Sequence, residues 1–275
     1  MSERPEPFAQ LLAIDLDFTL LDADRNIPSE NRAAVRRARA AGIHVVLASG
    51  RIASGMRHYS DQLGLDGPLI SCNGAYVVTA GREIIEEHRF SRRYSQRVIR
   101  YCRSHGFHVN VYADDKVYFA ETSPWTDIYL RRAQRANAEV VGWDALMEID
   151  PLKVILIDSR ETVARLQVRF QREFRAQELS VTVSEPEYLE FLSPDCSKGT
   201  GLAAVAGILG VPRERTAAVG DYHNDLPMLE WAGHSAAVAN APEAVRAAAD
   251  VLVPRHDRGG VAAYVDLVLQ NLEQS

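Results

Sequence analysis

The segment LLAIDLDFTLLD, residues 11–22, decides how the chain folds. Its first residues form a short apolar run that ends in an acid, which is typical of a strand buried on both faces of a parallel sheet. Asp15 and Asp17 stand one residue apart, where a strand would ordinarily end in a Gly or Asn turn. Two carboxylates held this close repel each other unless a cation lies between them. The segment therefore predicts a buried strand that delivers two acids to one edge of a sheet.

Strand and helix patterns alternate on both sides of a long central segment. After the first strand, a helix is predicted over residues 28–41, a strand over 43–49, a helix over 52–63 and a strand over 68–72. The alternation returns later, with a helix at 197–210, strands at 216–221, 234–240 and 250–254, and helices that start at Asn224, near Ala241 and at Gly259. Such alternation predicts a doubly wound, mostly parallel α/β sheet.

The central segment, residues 82–192, has a different pattern of alternating or aromatic-rich strands. These strands are REIIEEHRF, FHVNVYA, KVYFAE, KVILID, SVTVS and YLEFLS, and helices are predicted over 92–104, 124–136 and 160–176. ADDK is typical of a hairpin turn, and the pattern as a whole predicts an α+β domain with an antiparallel sheet. We expect a core domain formed by residues 1–81 and 193–275, with residues 82–192 inserted into it as a cap.

The composition opposes several functional classes. A formal net charge of −6 over 275 residues does not fit the basic surface of a nucleic-acid-binding protein. Cys72, Cys102 and Cys196 are scattered without CxxC spacing, so neither a disulfide framework nor a zinc site is indicated. The N-terminus lacks a signal-peptide pattern, and no run approaches the roughly 18 apolar residues of a membrane helix. We expect a cytoplasmic monomer or homodimer without nucleic-acid or membrane partners.

A second acidic site follows a later strand. Asp221 comes directly after the apolar run TAAVG, and Asn224 and Asp225 fall in the first turn of the next helix. A carboxylate at a strand end is a suitable Mg²⁺ ligand, because Mg²⁺ prefers oxygen donors and often bridges carboxylates to a phosphate. Asn224 and Asp225 have an equally good alternative role as plain helix N-caps, where Asx residues are common.

Two further segments have features of phosphate binding. LASGR places the Ser49 hydroxyl after the second strand, where the N–H groups of Gly50 and Arg51 also suit phosphoryl oxygens. Lys198 stands in the first turn of a helix, which is unfavourable for a cation because the positive end of the helix dipole lies there. A nearby site of aspartates and phosphate would explain the position of this lysine.

Four motifs occur in order, each after a strand or at the start of a helix. They are DLDFT (15–19), LASGR (47–51), SKGTGL (197–202) and GDYHND (220–225). Together they resemble the haloacid dehalogenase superfamily, and the insertion after SCNGAYV (71–77) is similar to its Cof-type phosphatase branch. The resemblance covers nearly the whole chain. It implies a Rossmann-like core, Mg²⁺ as cofactor, and hydrolysis of a small phosphorylated metabolite such as a sugar phosphate or a phosphorylated vitamin cofactor.

The resemblance also implies how the acids act. Asp15 would be the nucleophile that becomes an aspartyl phosphate, while Asp17 would protonate the leaving oxygen and then activate water. Mg²⁺ would be held by the Asp15 carboxylate, the main-chain oxygen of Asp17 and the Asp221 carboxylate. Asp225 would support either the metal or Lys198. Covalent catalysis of this kind divides hydrolysis into two in-line transfers.

Other positions complete the implied pocket, and one departs from the family pattern. Thr19, Ser49 and Lys198 would hold the transferring phosphoryl group, with Asn224 organising the same pocket. The residue after the second Asp is usually Gly in this branch, but here it is Phe18. A glycine would allow a positive φ, which a phenylalanine adopts only with strain.

Two residues near the insertion have open assignments. Lys153 resembles a cap lysine of the branch and is a substrate-binding candidate, but it could equally be a solvated strand end. Asn73 could face the substrate, or it could serve only the Asn-Gly turn.

Two rival hypotheses also remain. A phosphomutase would use the same chemistry and return the phosphoryl group to its substrate. A receiver-like regulator would store the aspartyl phosphate as a signal rather than hydrolyse it.

Overall fold

The structure is a computed structural model that describes residues 8–133 and 137–270. In these ranges the strands are β1 (Leu11–Asp15), β2 (His44–Ala48), β3 (Leu69–Ser71), β4 (Tyr76–Val78), β5 (Ile84–Glu87), β6 (His108–Ala113), β7 (Lys116–Phe119), β8 (Ala138–Val140), β9 (Lys153–Ile157), β10 (Ser180–Glu185), β11 (Tyr188–Leu192), β12 (Thr216–Gly220), β13 (His234–Val238) and β14 (Val251–Val253). The α-helices are α1 (Ser29–Ala40), α2 (Ala53–Leu63), α3 (Arg92–His105), α4 (Pro124–Ala133), α5 (Trp143–Leu146), α6 (Arg160–Glu173), α7 (Lys198–Leu209), α8 (Leu226–Trp231), α9 (Glu243–Ala248) and α10 (Gly260–Leu269).

Among the described residues the strands form two sheets. The larger sheet has the order β14-β13-β12-β1-β2-β3-β4-β5, and its neighbours are parallel from β14 to β3. Strands β4 and β5 then add an antiparallel edge. The predicted doubly wound, mostly parallel α/β sheet is therefore confirmed.

Helices cover both faces of the larger sheet. Apolar side chains of α1, α2 and α10 pack on one face, and those of α7, α8 and α9 pack on the other. Leu12 and Ile14 of β1 point to the first face, whereas Leu11 and Ala13 point to the second, and all four are fully buried. Burial on both faces explains why this strand reads as a continuous apolar run rather than an alternating one.

The smaller sheet has the order β10-β11-β9-β6-β7-β8 and is antiparallel except for the pair β7 and β8. Helices α3 and α6 pack their apolar sides on one face. The predicted ADDK turn joins β6 and β7, and Asp114 and Asp115 both adopt positive φ, as the tightest hairpin turns require. The antiparallel strands and helices predicted for the central segment are thus present.

Three details of the insertion differ from the prediction. The strand Ile84–Glu87, expected in the cap, was assigned wrongly, because a short hairpin keeps it paired with Tyr76–Val78 in the larger sheet. Ala138–Val140 and the short helix Trp143–Leu146 were not predicted, since neither segment is long enough to show a clear period. The last part of the helix predicted over 124–136, residues 134–136, lies outside the described residues.

A shared apolar cluster joins the two sheets. Ile52, Cys72 and Ala75, from the region of the larger sheet, pack together with Tyr112 and Ile155 of the smaller sheet. The second face of the smaller sheet therefore rests on the carboxyl-end loops of the larger one. In the described part of the chain, no helix combines the length and apolarity needed to cross a membrane.

Candidate active site

Three strand ends and one helix start bring the predicted site residues together. Asp15, the last residue of β1, pairs in register with Ala48 of β2, so Ser49 follows at the same edge of the sheet. Asp221 follows β12, the neighbour of β1 on its other side. Helix α7 begins with Lys198, and its side chain reaches the same edge. The site lies at the carboxyl end of a parallel sheet, the usual ligand-binding position in such folds.

Three carboxylates form one buried group around the Lys198 ammonium. Asp15, Asp221 and Asp225 each place an oxygen within 4.8 Å of the others. Lys198 Nζ donates to Asp15 Oδ1 at 2.6 Å and to Asp225 Oδ1 at 2.5 Å. Asp225 Oδ2 accepts the backbone N–H groups of Asp221 and Tyr222, at 2.9 and 3.0 Å. Both Asp225 oxygens are thus engaged in holding the loop and the lysine.

Burial and mutual repulsion perturb the ionisation of this group. Burial, reinforced by the charge of Asp225, raises the pKa of Asp15 to about 7. Burial and the neighbouring carboxylates also raise the pKa of Asp221 well above its ordinary value. Burial would lower the pKa of Lys198, but Asp15 and Asp225 raise it instead. One ammonium does not balance three carboxylates, so this donor set fits a hard divalent cation, and the cluster can bind a metal.

The side chain of Asp17 is held by two arginines. Arg51 donates through Nε to Asp17 Oδ2 at 2.8 Å and through Nη2 to Oδ1 at 2.7 Å, and Arg25 also donates to Oδ1. Burial alone would raise the pKa of Asp17, but the charge and hydrogen bonds of Arg51, then those of Arg25, lower it below the ordinary range. Asp17 is therefore ionised at neutral pH in this arrangement.

The Arg51 side chain links the Asp17 loop to the insertion. Its guanidinium donates to the carbonyl oxygens of Arg132 and Ala133 at the end of α4, each at 3.0 Å. From the sequence, the backbone N–H of Arg51 was predicted to contact the phosphate. In the structure this N–H donates to Ser49 Oγ at 3.2 Å. The sequence showed no sign that the side chain would carry the contact to Asp17.

Thr19 and Ser49 are both buried beside the acidic group. Thr19 Oγ1 donates to Asp221 Oδ1 at 3.3 Å, and Ser49 is 1% exposed. Ser49 and Gly50 line the same cavity as Asp15. These predicted phosphate-binding residues are therefore gathered at one place.

Phe18 adopts the positive φ expected from its place in the motif. Its φ is 59° and its ψ is 15°, a conformation that L-residues other than Asn and Asp rarely adopt. Asn240 Nδ2 donates to the Phe18 carbonyl oxygen at 3.0 Å, and the Arg25 guanidinium lies 4.8 Å from the centre of its ring. These contacts hold the turn in the conformation that glycine supplies in the family pattern.

For Lys153, Asn73 and Asn224, the sequence left two roles open, and the structure decides between some of them. Lys153 is 1% exposed and bonds to Glu190, so the alternative of a solvated strand end is wrong. Asn73 occupies the left-handed region and also bonds through its side chain to Glu190 and Asn224. Asn224 does not cap the helix, because its Oδ1 accepts no hydrogen bond from any residue that the structure describes, while its Nδ2 donates to Asn73 Oδ1. Asp225 serves in two ways: its carboxylate accepts the Tyr222 N–H at the start of the helix, and it also bonds to Lys198.

A cavity of about 510 Å³ lies between the two sheets, directly over the acidic group. Its floor is formed by the predicted residues Asp15, Asp17, Ser49, Gly50, Arg51, Asp221 and Asn224. Its opposite wall is formed by Tyr112, Tyr129, Lys153, Ile155, Glu185, Tyr188 and Glu190 of the insertion. This volume is in the range of pockets that enclose small molecules.

Glu185 and Glu190 were not predicted as site residues. Glu190 did leave a signal, since it is an acid within the apolar strand YLEFL, and a buried acid requires partners. Glu185, which pairs with Arg25 and Arg132, lies at the polar end of its strand and left no such signal.

Comparison with known proteins agrees with this geometry. The sequence profile of the haloacid dehalogenase-like hydrolases matches residues 12–265. From Bacillus subtilis, phosphatase YwpJ is 28% identical and aligns over 92% of this chain and 97% of its own. The 5-amino-6-(5-phospho-D-ribitylamino)uracil phosphatase YwtE of the same organism is also 28% identical, over 94% of this chain and 97% of its own.

A solved structure gives the same result. A haloacid dehalogenase-like hydrolase from B. subtilis, whose structure is solved, is 26% identical, with a TM-score of 0.85 over 94% of this chain and 99% of its own. The match with the family profile spans most of the chain, and the fold and the order of the motifs agree with it. The predicted superfamily is confirmed, and the chain is an enzyme that belongs to the haloacid dehalogenase-like hydrolases.

Proposed function

We propose that this protein is a Mg²⁺-dependent phosphatase that hydrolyses a small phosphorylated metabolite through an aspartyl-phosphate intermediate. The observation that carries the proposal is the position of Asp15, buried at the rim of the sheet with Lys198 Nζ 2.6 Å away and Asp221 beside it. The phosphatase names of the relatives YwpJ and YwtE support the same reaction class.

In the first transfer, an Asp15 carboxylate oxygen bonds to phosphorus while the bond from phosphorus to the leaving oxygen breaks. Lys198 holds Asp15 and offers its positive charge to the phosphoryl oxygens, and the Ser49 hydroxyl and Thr19 are placed to contact the same group. Catalysis of this type depends mainly on positioning and charge neutralisation. Burial disfavours the charged form of Lys198, but the carboxylates of Asp15 and Asp225 raise its pKa and keep it charged for that purpose.

Asp17 serves as the acid and base in this scheme. It donates a proton to the leaving oxygen in the first transfer and accepts one from the water that then attacks the aspartyl phosphate. The second transfer returns Asp15 as a free carboxylate and releases inorganic phosphate. In the structure Asp17 is ionised and bonded to Arg25 and Arg51. Before Asp17 donates to the leaving oxygen, these bonds have to open as the substrate enters, and the carboxylate has to take up a proton from water.

The acidic group is proposed as the Mg²⁺ site. Asp15 and Asp221 would hold the ion directly together with the main-chain oxygen of Asp17, and Asp225 would support Lys198, since both of its oxygens are already engaged. Bound Mg²⁺ supplies a double positive charge that offsets the carboxylates and the phosphoryl oxygens.

We also propose that the insertion acts as a cap that selects the substrate. The proposed cap spans residues 82–192 except for β5, which belongs to the larger sheet. A cavity of about 510 Å³ with an aromatic wall supports a leaving group the size of a sugar or a cofactor fragment. A cap that closes over such a site excludes water and adds leaving-group contacts.

A screen of phosphorylated metabolites, with and without Mg²⁺, tests the proposal by measuring released phosphate. We expect release from sugar phosphates or phosphorylated cofactors that stops when the metal is chelated. An isomerised sugar phosphate without free phosphate would instead indicate a mutase. A long-lived phosphorylated protein without turnover would indicate a regulator.

A further inference from the structure

A buried ion pair of the cap faces the cavity. Lys153 on β9 and Glu190 on β11 are each 1% exposed, and Lys153 Nζ lies 3.0 Å from Glu190 Oε1. The two strands are antiparallel neighbours, with Glu190 opposite Ile155, so both side chains share one face of the sheet. Ser184 Oγ donates to the same Glu190 oxygen at 2.5 Å, and the Tyr112 ring lies beneath the ammonium, 4.6 Å from Nζ to its centre.

Each partner of the pair also bonds to the core across the cavity. Lys153 Nζ donates to the Gly50 carbonyl oxygen at 2.6 Å, and Asn73 Nδ2 donates to Glu190 Oε2. Asn73 in turn accepts from Asn224 in the fourth motif, at 3.0 Å. The pair therefore connects the cap to two loops of the predicted phosphate site at once.

The fit at the contact is close. A methyl group placed on Gly50 would lie 3.3 Å from both Lys153 Nζ and Asn73 Oδ1, nearer than most side-chain contacts. The backbone N–H of Asn73 donates to the Ser49 carbonyl oxygen at 3.0 Å, and that of Cys72 donates to the Arg51 carbonyl oxygen at 2.8 Å. These two hydrogen bonds join the Asn73 turn to the Gly50 loop, and the Lys153–Glu190 pair contacts both.

The energetics of buried charges indicate a role beyond folding. A buried ion pair is on average no more stabilising than apolar side chains of the same volume, whereas loss of one partner is costly. Apolar residues would serve the interior of the cap equally well. What they cannot supply are the two polar bonds to Gly50 and Asn73, which exist only when the cap rests on the core.

We propose that Glu190 is a positioning residue that, through Lys153 and Asn73, docks the cap on the Gly50 loop and so closes the cavity around the leaving group. Because this role presupposes the phosphatase proposed above, its test separates docking from chemistry. Substrates whose leaving group fills the cavity depend on a docked cap, and a very small leaving group does not.

The first test compares Glu190→Gln with wild type on two substrates. For the best ester found in the metabolite screen, we expect kcat/KM to fall by about tenfold or more, and for acetyl phosphate by less than about threefold. Lys116→Met is the matched control, because Lys116 forms an exposed cap ion pair with Glu139 at 3.3 Å. This control is expected to match wild type on both substrates. Equal losses on both substrates, or no loss on either, would overturn the docking role.

The second test measures hydrogen exchange at the docking site and needs no turnover. We expect the Cys72 and Asn73 amides to exchange faster in Glu190→Gln than in wild type or Lys116→Met. Unchanged exchange contradicts docking, whatever the activity. A wild-type chain that hydrolyses no ester would contradict the proposed function, while the exchange rates would still decide whether the pair docks the cap.

A double variant separates docking from simple stability. In Lys153→Met/Glu190→Leu, apolar side chains replace both members of the pair. We expect the thermal midpoint of this double variant to lie close to that of wild type. The exchange of the Asn73 amide should nevertheless stay fast, and kcat/KM for the larger ester should stay low. A double variant with wild-type exchange and kinetics would show that the pair is merely structural.

Discussion

The Lys198 ammonium lies 2.6 Å from Asp15 Oδ1, although Lys198 opens helix α7, where the helix dipole disfavours a cation. A second bond, to Asp225 at 2.5 Å, shows why the position is tolerated. Carboxylate charge at the sheet edge outweighs the partial positive charge of the helix end. The lysine thereby becomes a fixed cation beside the proposed nucleophile.

Lys198→Met removes this cation and leaves three buried carboxylates without it. We expect the unfolding free energy of the metal-free protein to fall by about 3–5 kcal/mol, because one partner of a buried ionic group is lost. Phosphate release should fall by about a hundredfold or more, since the charge facing the phosphoryl group is gone. Urea unfolding and steady-state kinetics measure the two effects. Lys116→Met is the control and should cost under about 1 kcal/mol, and similar values for the two variants would contradict the account.

Asp17→Asn tests the acid and base role. The loss in kcat/KM should reach about a hundredfold or more with sugar phosphates, whose alkoxide leaves poorly without a proton. The loss should be smaller with p-nitrophenyl phosphate, because nitrophenolate leaves without protonation. Measured side by side, equal losses on the two substrates would remove Asp17 from the acid role.

Gly74→Ala tests the contact between the Asn73 turn and the start of α7. A Cβ at Gly74 would lie 1.9 Å from the Ser197 carbonyl oxygen, and φ there is 88°. We expect a loss of about 3 kcal/mol or more in the unfolding free energy, because backbone atoms have to move apart. Gly106→Ala is the matched control: φ there is 69° with nothing within 4 Å, and its cost should be about 1 kcal/mol. Equal costs in urea unfolding would show that the predicted clash is absent.

The raised pKa of Asp15 predicts a pH-dependent affinity for Mg²⁺. At pH values below this pKa of about 7, the Asp15 carboxyl of the metal-free protein is mostly protonated, so protons compete with Mg²⁺ for it. The increase in thermal midpoint caused by Mg²⁺ should therefore be small near pH of about 5.5 and larger near about 8. Asp221→Asn should reduce the increase at both pH values. An increase that shrinks as pH rises would contradict the assignment of Asp15 as a ligand.

The core of the fold and the acidic group were predictable from the sequence, because both depend on local patterns. Buried parallel strands such as Leu11–Asp15 read as apolar runs, and the residue after each run lies at a known edge of the sheet. The order of the strands along the chain was therefore enough to place Asp15, Ser49 and Asp221 near one another. Lys198 was identifiable because its position conflicts with the helix dipole.

The side-chain contacts around the cavity were less predictable, because a hydrogen bond between two side chains leaves no periodic pattern in the sequence. Arg25 and Arg51 clamp Asp17, and Glu190 pairs with Lys153, through side-chain contacts that follow no sequence spacing. The strand Ile84–Glu87 was placed in the wrong sheet for a related reason. A short hairpin turn pairs it with the preceding strand, Tyr76–Val78, but the strand pattern changes at this point of the sequence and suggested a new domain.

The central claim is that Asp15 carries the phosphoryl group during turnover, and the most direct measurement is peptide mapping of the protein quenched in acid after brief incubation with substrate and Mg²⁺. The account predicts one phosphoryl group on the peptide that contains Asp15, absent from Asp15→Asn and lost as phosphate appears. Phosphate release by wild type with no label at Asp15, or with undiminished turnover in Asp15→Asn, would contradict it.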